Sequence, residues 1–128
     1  MKKAYPIIIS PTAGGYSVYI PDFDINTQGA DIPDAIFMAR DAIGLVGIDM
    51  QDDGEALPEA APLESIRGGD EDIVSLVDVD FAEYRRRHDN RVVRKNLTIP
   101  SWLNEEGIAR GINFSQVLQE ALIEKLGV

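Results

Sequence analysis

The sequence predicts an α+β protein in two modules: a small sheet with one covering helix, then a strand with two short helices. Two observations predict the first module. Runs rich in β-branched residues lie at residues 3–20 and 73–81, and one long helical stripe lies between them. A third observation predicts the second module, because residues 91–128 hold one extended stretch and then two amphipathic patterns. The 128 residues suffice for one ordinary domain or two very small ones.

The first two strands are predicted to form a β-hairpin. Residues 3–10, "KAYPIIIS", are rich in β-branched side chains, and "PTAGG" after them has turn chemistry. The next stretch, "YSVYIPDFD", places Tyr16, Val18 and Ile20 on one face at period two. The residues "NTQGA" form either a third short strand or a loop, and "IVSLVDVDF", residues 73–81, has the character of a buried strand.

One helix of about four turns is predicted after Asp31, a favourable N-cap with Pro33 in the first turn. Gly44 and Gly47 are expected to weaken its end, before "DMQDDG" stops it. The stretch "EALPEAAPLESIRGGDED" has two prolines, two glycines and six acidic residues, and it is predicted to be a loop. The apolar stripe of the helix consists of Ala35, Ile36, Ala39, Ala42, Ile43 and Val46.

The charge of the chain, −10 overall, is unevenly distributed. Residues 85–128 carry eight basic and five acidic side chains, a net charge of +3, whereas the remaining 84 residues carry a net charge of −13. We therefore expect the acidic part to attract a basic partner, although solubility alone also explains an acidic surface. The stretch "AEYRRRHDN", residues 82–90, is predicted to be a charged linker between a first domain, residues 1–81, and a second domain, residues 91–128.

Composition points to a cytoplasmic protein that binds rather than catalyses. The chain has no cysteine, which suits a reducing compartment and excludes disulfides and thiolate metal ligands. No apolar run approaches the ~20 residues that span a bilayer, and the run near the N-terminus is too short for a signal peptide. The single histidine, His88, lies in the linker without a nucleophile and an orienting acid. We therefore expect no catalytic residue, no metal, no cofactor and no membrane partner.

The second module is expected to form a homodimer. Below about 40 residues a chain usually needs disulfides, a metal or oligomerisation to fold, and only oligomerisation suits this composition. A lone strand also leaves both of its edges unpaired, so the same strand of a second chain is the expected partner. The two helices are predicted from Ser101 to Arg110 and after Asn113, which caps the second helix in a capping box with Gln116. The result would be a two-stranded ribbon braced by four helices, and pairs of dimers could join through the first modules.

The two faces of the predicted strand differ in chemistry. A two-stranded ribbon fits the major groove of B-DNA, where Arg pairs with guanine, Asn pairs with adenine, and Thr contacts a polar edge or a thymine methyl. The start of the second helix, near Asn113 and Ser115, offers free amides for a phosphate. One parity of the strand can pack on the helices and holds Val93, Leu97 and Ile99, with Lys95 interrupting the series. The other parity points outward and holds Arg94, Asn96 and Thr98.

From "RKNLTIPSWL" through "GINFSQVLQEAL", residues 94–122, the second module resembles the ribbon-helix-helix DNA-binding family. The proline after the strand and the "GINFS" helix start carry this resemblance. It implies that Arg94, Asn96 and Thr98 face the bases and that Ser115 contacts a phosphate. Lys95 and Asn113 belong to the same predicted DNA-binding surface.

Over nearly its full length, the chain resembles the HicB antitoxins. A sheet-and-helix module, an acidic loop with prolines and then this tail are the features in common. The resemblance implies a first module with a partial ribonuclease-H-like fold that binds and blocks a HicA-like toxin. That toxin is a small basic RNA-cleaving protein that uses a histidine. The resemblance also implies that the complex represses its own operon by binding operator DNA.

Two other functions remain open from the residues alone. Asp22 with Asp24, and Asp78 with Asp80, form D-x-D pairs on or beside predicted strands, and ribonuclease-H-like nucleases hold two Mg²⁺ ions with clustered carboxylates. Solvated or partner-facing acids explain the same pairs. A transcriptional repressor that senses a small ligand with its first module also fits the two-module layout. Trp102 is expected to anchor the first tail helix.

Overall fold

The computed structural model describes residues 1–89 and 91–128. The chain divides into two compact units, Met1–Asn90 and Arg91–Val128, which are called the front unit and the tail unit below. No helix in these described ranges combines the length and the apolar character that a membrane crossing requires.

The front unit is built on a four-stranded antiparallel sheet. The strands are β1 (Lys2–Thr12), β2 (Gly15–Ile20), β3 (Ile25–Gly29) and β4 (Ile73–Asp80). Their order in the sheet is β3-β2-β1-β4. The predicted hairpin is confirmed, and "NTQGA" belongs partly to a third strand. Strand β1 is central because it pairs with β2 on one side, Ile9 opposite Val18, and with β4 on the other, Tyr5 opposite Val77.

One face of the sheet and one helix, α1 (Ile32–Asp52), enclose the core of the front unit. Alternate residues of each strand point to this face, because side chains along a strand have a period of two. The predicted N-cap is present, since the Asp31 carboxylate accepts a hydrogen bond from the Asp34 N–H at 2.8 Å. The buried core consists of Tyr5, Ile7, Ile9, Val18, Ile20, Ala35, Ala39, Ile43, Val77, Val79 and Phe81.

Helix α1 has 21 residues, about six turns, and is therefore longer than the predicted four turns. Gly44 and Gly47, which were expected to weaken its end, are buried within it. A Cβ at Gly44 would lie 2.5 Å from Cδ2 of Tyr84, and one at Gly47 would overlap the ring of Phe81. Each glycine costs about 1 kcal/mol of helix propensity, and the close packing of an aromatic ring in its place offsets that cost.

Most of the first part of the predicted linker is helical, because residues 81–87 form a helix, α2 (Phe81–Arg87), that packs on α1. Asp80 caps α2 by accepting a hydrogen bond from the Glu83 N–H at 3.2 Å. With the boundary after residue 90, the front unit carries seven basic and 18 acidic side chains, a net charge of −11. The tail unit then carries five basic and four acidic side chains, so its net charge is +1 rather than +3.

The tail unit contains two helices, α3 (Ser101–Ala109) and α4 (Phe114–Leu126), close to the predicted bounds. Residues 91–100 carry neither strand nor helix in this single chain. A strand is defined by hydrogen bonds to a neighbouring strand. Residues 91–128, all of which are described, contain no strand, so this segment has no neighbour of that kind within the tail unit. The strand at this position therefore stays a prediction.

Candidate functional site

The tail unit has almost no interior of its own. Every residue from 91 to 128 is exposed except Gly107 and Leu118, which are half-buried. Large apolar side chains are open to solvent: Val93 is 88% exposed, Trp102 65% and Leu97 59%. Leaving an apolar side chain in water forfeits about 1.5–3 kcal/mol relative to burying it. In a single copy of this unit, the apolar side chains that would form the core of a folded domain therefore lie on the surface.

Several exposed apolar side chains of the tail unit line one open groove of about 890 Å³. Gly107 makes the contact between the two helices possible, because a Cβ at this position would lie 2.5 Å from Cζ of Phe114. Trp102, the expected anchor of α3, lines the groove and is not buried in the single chain. The apolar lining consists of Leu97, Ile99, Trp102, Leu103, Ile112, Phe114, Val117, Leu118 and Ala121.

The two parities of the segment before α3 differ in their relation to the groove. Leu97 and Ile99, two of the three residues predicted to pack on the helices, line it together with the interrupting Lys95, whereas the third, Val93, is not part of the lining. The set predicted to face bases is not part of the lining and is exposed: Arg94, Asn96 and Thr98. The alternation that the sequence predicts is thus present in the single chain, before any partner strand is added.

At the start of α4, Asn113 is committed to capping the helix. Its side-chain oxygen accepts a hydrogen bond from the Gln116 N–H at 3.1 Å. The other half of the predicted capping box, an Asn113 N–H donated to the Gln116 side chain, is not found among the described residues, and the Gln116 Nε2 donates to Glu120 at 3.1 Å. Ser115 lies in the first turn and lines the groove. The first N–H groups of any α-helix have no acceptor within the helix, so this end of α4 offers donors to an anion.

The four aspartates of the D-x-D pairs have separate structural partners. Asp22 accepts a hydrogen bond from the Ala61 N–H at 3.1 Å, and Asp24 accepts one from the Tyr19 hydroxyl at 2.8 Å. Within residues 1–89 and 91–128, no group of three or more acidic or histidine side chains is placed to hold a metal ion. The geometry of the described residues therefore does not support the two-metal nuclease site that the D-x-D pairs had suggested.

The second pair, Asp78 and Asp80, stabilises the end of β4. Arg40 donates to the Asp78 carbonyl at 2.9 Å and to its carboxylate at 3.0 Å, and this side-chain hydrogen bond lowers the pKa of Asp78. The backbone N–H of Glu83 lowers the pKa of Asp80, and the N-terminal amine of Met1 lies 3.6 Å from the same carboxylate. Arg40 thereby covers part of the free edge of the sheet.

The three arginines of the predicted linker belong to α2 and are all paired within the front unit. Arg85 lies 2.9 Å from Asp52 of α1, while Arg86 and Arg87 both contact Glu83, at 2.6 and 3.0 Å. The Arg85–Asp52 pair links α2 to α1, whereas Arg86 and Arg87 are paired within α2 itself.

The contacts of Tyr84 with Asp41 and His88 were not predicted from the sequence. Its hydroxyl donates to the Asp41 carboxylate at 3.0 Å, and burial together with this bond raises the pKa of Tyr84 to about 12. The ring of His88 stacks on Tyr84 at a centroid distance of 4.0 Å. Gly44 and Gly47 of α1 are the sequence feature that could have indicated this packing, because two buried helix glycines three residues apart favour the close approach of another element.

These observations define a class: a small protein with an acidic sheet-and-helix unit and a helical unit that lacks a core in the single chain. A family described as the HicB-like antitoxin of bacterial toxin–antitoxin systems matches residues 5–116. The chain belongs to this family.

The chain is also similar to a phage protein and to chains of solved structures. A protein of Haemophilus phage HP1 (strain HP1c1), named as an uncharacterized 14.9 kDa protein in the rep-hol intergenic region, is 31% identical over 103 residues, 77% of this chain and 74% of that protein. A toxin–antitoxin complex from Streptococcus pneumoniae contains a chain that is 28% identical with a TM-score of 0.61, covering 98% of this chain and 99% of that one. The Burkholderia pseudomallei antitoxin HicB is 25% identical with a TM-score of 0.55, covering 97% of this chain and 98% of that one.

Proposed function

We propose that this antitoxin neutralises a HicA-like toxin with its front unit and represses its own operon with its tail unit. Family membership over residues 5–116 supports the first half, and the similar Streptococcus pneumoniae chain comes from a toxin–antitoxin complex. The net charge of −11 on the front unit suits a basic partner, because opposite charges speed association. The protein acts in the cytoplasm by binding, without a cofactor and without catalysing a reaction.

The tail unit dimerises to complete its core. The observation that carries this proposal is that no side chain between residues 91 and 128 is buried in the single chain. A second copy related by two-fold symmetry pairs its segment 91–99 with the first as an antiparallel ribbon, so that each strand gains a partner. Leu97 and Ile99, which line the groove at 59% and 45% exposure, then become interior.

The dimer presents its outward strand face to the major groove of operator DNA. Arg94 pairs with guanine and Asn96 with adenine, while Thr98 contacts a polar base edge or a thymine methyl. The first turn of α4, at Asn113 and Ser115, holds a backbone phosphate through its free N–H groups. Lys95 adds positive charge beside the ribbon, and phosphate contacts account for most of the salt dependence of binding.

Truncation separates the two activities. The variant ends after residue 90 rather than after Phe81, because α2 packs on α1 and belongs to the front unit. We expect the truncated chain to protect cells that express the neighbouring HicA-like toxin and to lose its shift of operator DNA in a gel. Circular dichroism checks that the front unit stays folded.

The full-length chain is the control in both assays. Loss of protection by a folded truncated chain would contradict the division of labour. Failure of the full-length chain to protect cells would contradict toxin neutralisation itself.

A further inference from the structure

Helix α1 has an outer face on which two large apolar side chains stay more than half exposed in the described part of the front unit. Its inner residues, such as Ala35 and Ile43, are 0% exposed, whereas Phe37 is 59% exposed and Leu45 is 54% exposed. Phe37 and Leu45 are eight residues apart, about 12 Å along the helix, so one partner surface can contact both. Single exposed apolar residues are ordinary, but a pair on one helix face suits a docking surface.

Carboxylates flank this apolar pair at helical spacing. Asp34 and Asp41 lie about one turn before and after Phe37, and Asp41 and Asp49 lie about one turn before and after Leu45. The Asp41 carboxylate is bound by a neutral hydroxyl, so its charge is not cancelled. The single basic residue of α1, Arg40, is turned to β4, where it pairs with Asp78.

We propose that this outer face, Phe37 and Leu45 with the surrounding carboxylates, is the surface on which the basic toxin docks. This inference rests on the proposed function and adds the site of contact. The partner surface has an apolar cleft for the two side chains and a rim of Lys or Arg for the carboxylates. Apolar residues at the centre supply most of the affinity, and charges at the rim raise the association rate.

The opposite face of the sheet is the competing surface, and its charges do not complement a basic partner. Leu76 is 50% exposed there, with Pro6 opposite it in the neighbouring strand. Lys2 lies opposite Asp80 on the same face, and the carboxylate of Asp78 is paired with Arg40. This face therefore offers an exposed leucine with nearly balanced charge.

The test measures binding of full-length variants to the HicA-like protein of the same operon, produced with its catalytic histidine replaced by alanine. Phe37→Ser with Leu45→Ser should raise Kd at least about tenfold. Asp49→Lys should slow association, and the difference should shrink at high salt. Matched controls are Leu76→Ser on the other sheet face and Asp70→Lys in the acidic loop; each should leave Kd within about twofold.

The outcomes separate the inference from the proposed function. If the wild type binds and the Phe37/Leu45 variant binds equally well while folded, the docking site is wrong and toxin neutralisation stands. An equal loss of affinity in the Leu76→Ser control would also contradict this docking site. If the double variant is unfolded by circular dichroism, Asp49→Lys against Asp70→Lys decides the question. If the wild type does not bind, the proposed function fails.

Discussion

Truncating one groove residue, Leu97→Ala, should weaken the tail dimer strongly. Leu97 is 59% exposed in the single chain, and this exposed part is what a second copy would cover. Fully burying a leucine is worth about 1.5–3 kcal/mol, so the second copy contributes roughly 1–2 kcal/mol at each Leu97. A two-fold dimer contains the residue twice, which gives about 2–3.5 kcal/mol per dimer, or a Kd raised by about 30- to 300-fold.

Sedimentation equilibrium of the full-length protein over a wide concentration range measures this change. Thr98→Ala is the matched control, because Thr98 is the next residue along the chain, has the other parity and does not line the groove. We expect Thr98→Ala to dissociate at the wild-type concentration. A wild-type dissociation constant in Leu97→Ala, or an equal shift in both variants, would refute the proposed packing of the segment.

Three further results are expected. Arg94→Ala should cost about 1–3 kcal/mol of operator affinity without changing dimer mass, measured by fluorescence anisotropy with the DNA upstream of the operon; an unchanged affinity removes Arg94 from the base contacts. Gly47→Ala should destabilise the front unit by about 1–2 kcal/mol in urea because its Cβ meets Phe81, whereas Gly14→Ala, with nothing within 4 Å, should not. The folded-state pKa of Asp78 is lowered, so the contribution of this carboxylate to the free energy of unfolding is present above its ordinary pKa of about 4 and is lost as the pH falls. Asp78→Asn should therefore make the fall in the free energy of unfolding at acid pH less steep.

Local patterns were sufficient for three of the four strands, β1, β2 and β4, and for the start of α1. Alternation in "YSVYI" places Val18 and Ile20 in the core, and Asp31 with Pro33 predicts where the helix begins. Both signals arise from residues close in sequence, where strand alternation and capping act.

The length of α1 and the presence of α2 depend on contacts between distant residues. Gly44 and Gly47 are poor helix formers until Phe81 and Tyr84 pack on them, and no pattern within α1 reveals those rings. The arginine run looked like a solvated linker because its partners include Asp52, more than 30 residues away. Helix formation there is decided by tertiary packing, which local propensity does not contain.

Prediction of the tail unit from the sequence is incomplete for a different reason. The sequence predicts the alternation of residues 93–99, and the groove lining agrees with it over residues 95–99, but a strand needs a partner that one chain does not contain. The DNA-binding roles of Arg94, Asn96 and Thr98 likewise depend on a ribbon made by two chains, and they stay predictions.

Hydrogen exchange of the full-length protein, combined with its mass in solution, tests the central claim that the tail folds only as a pair. The backbone amides of residues 93–99 should be protected where the protein has a dimeric mass and should lose protection as dilution produces monomers. Protection of those amides in a protein of monomeric mass would contradict the account.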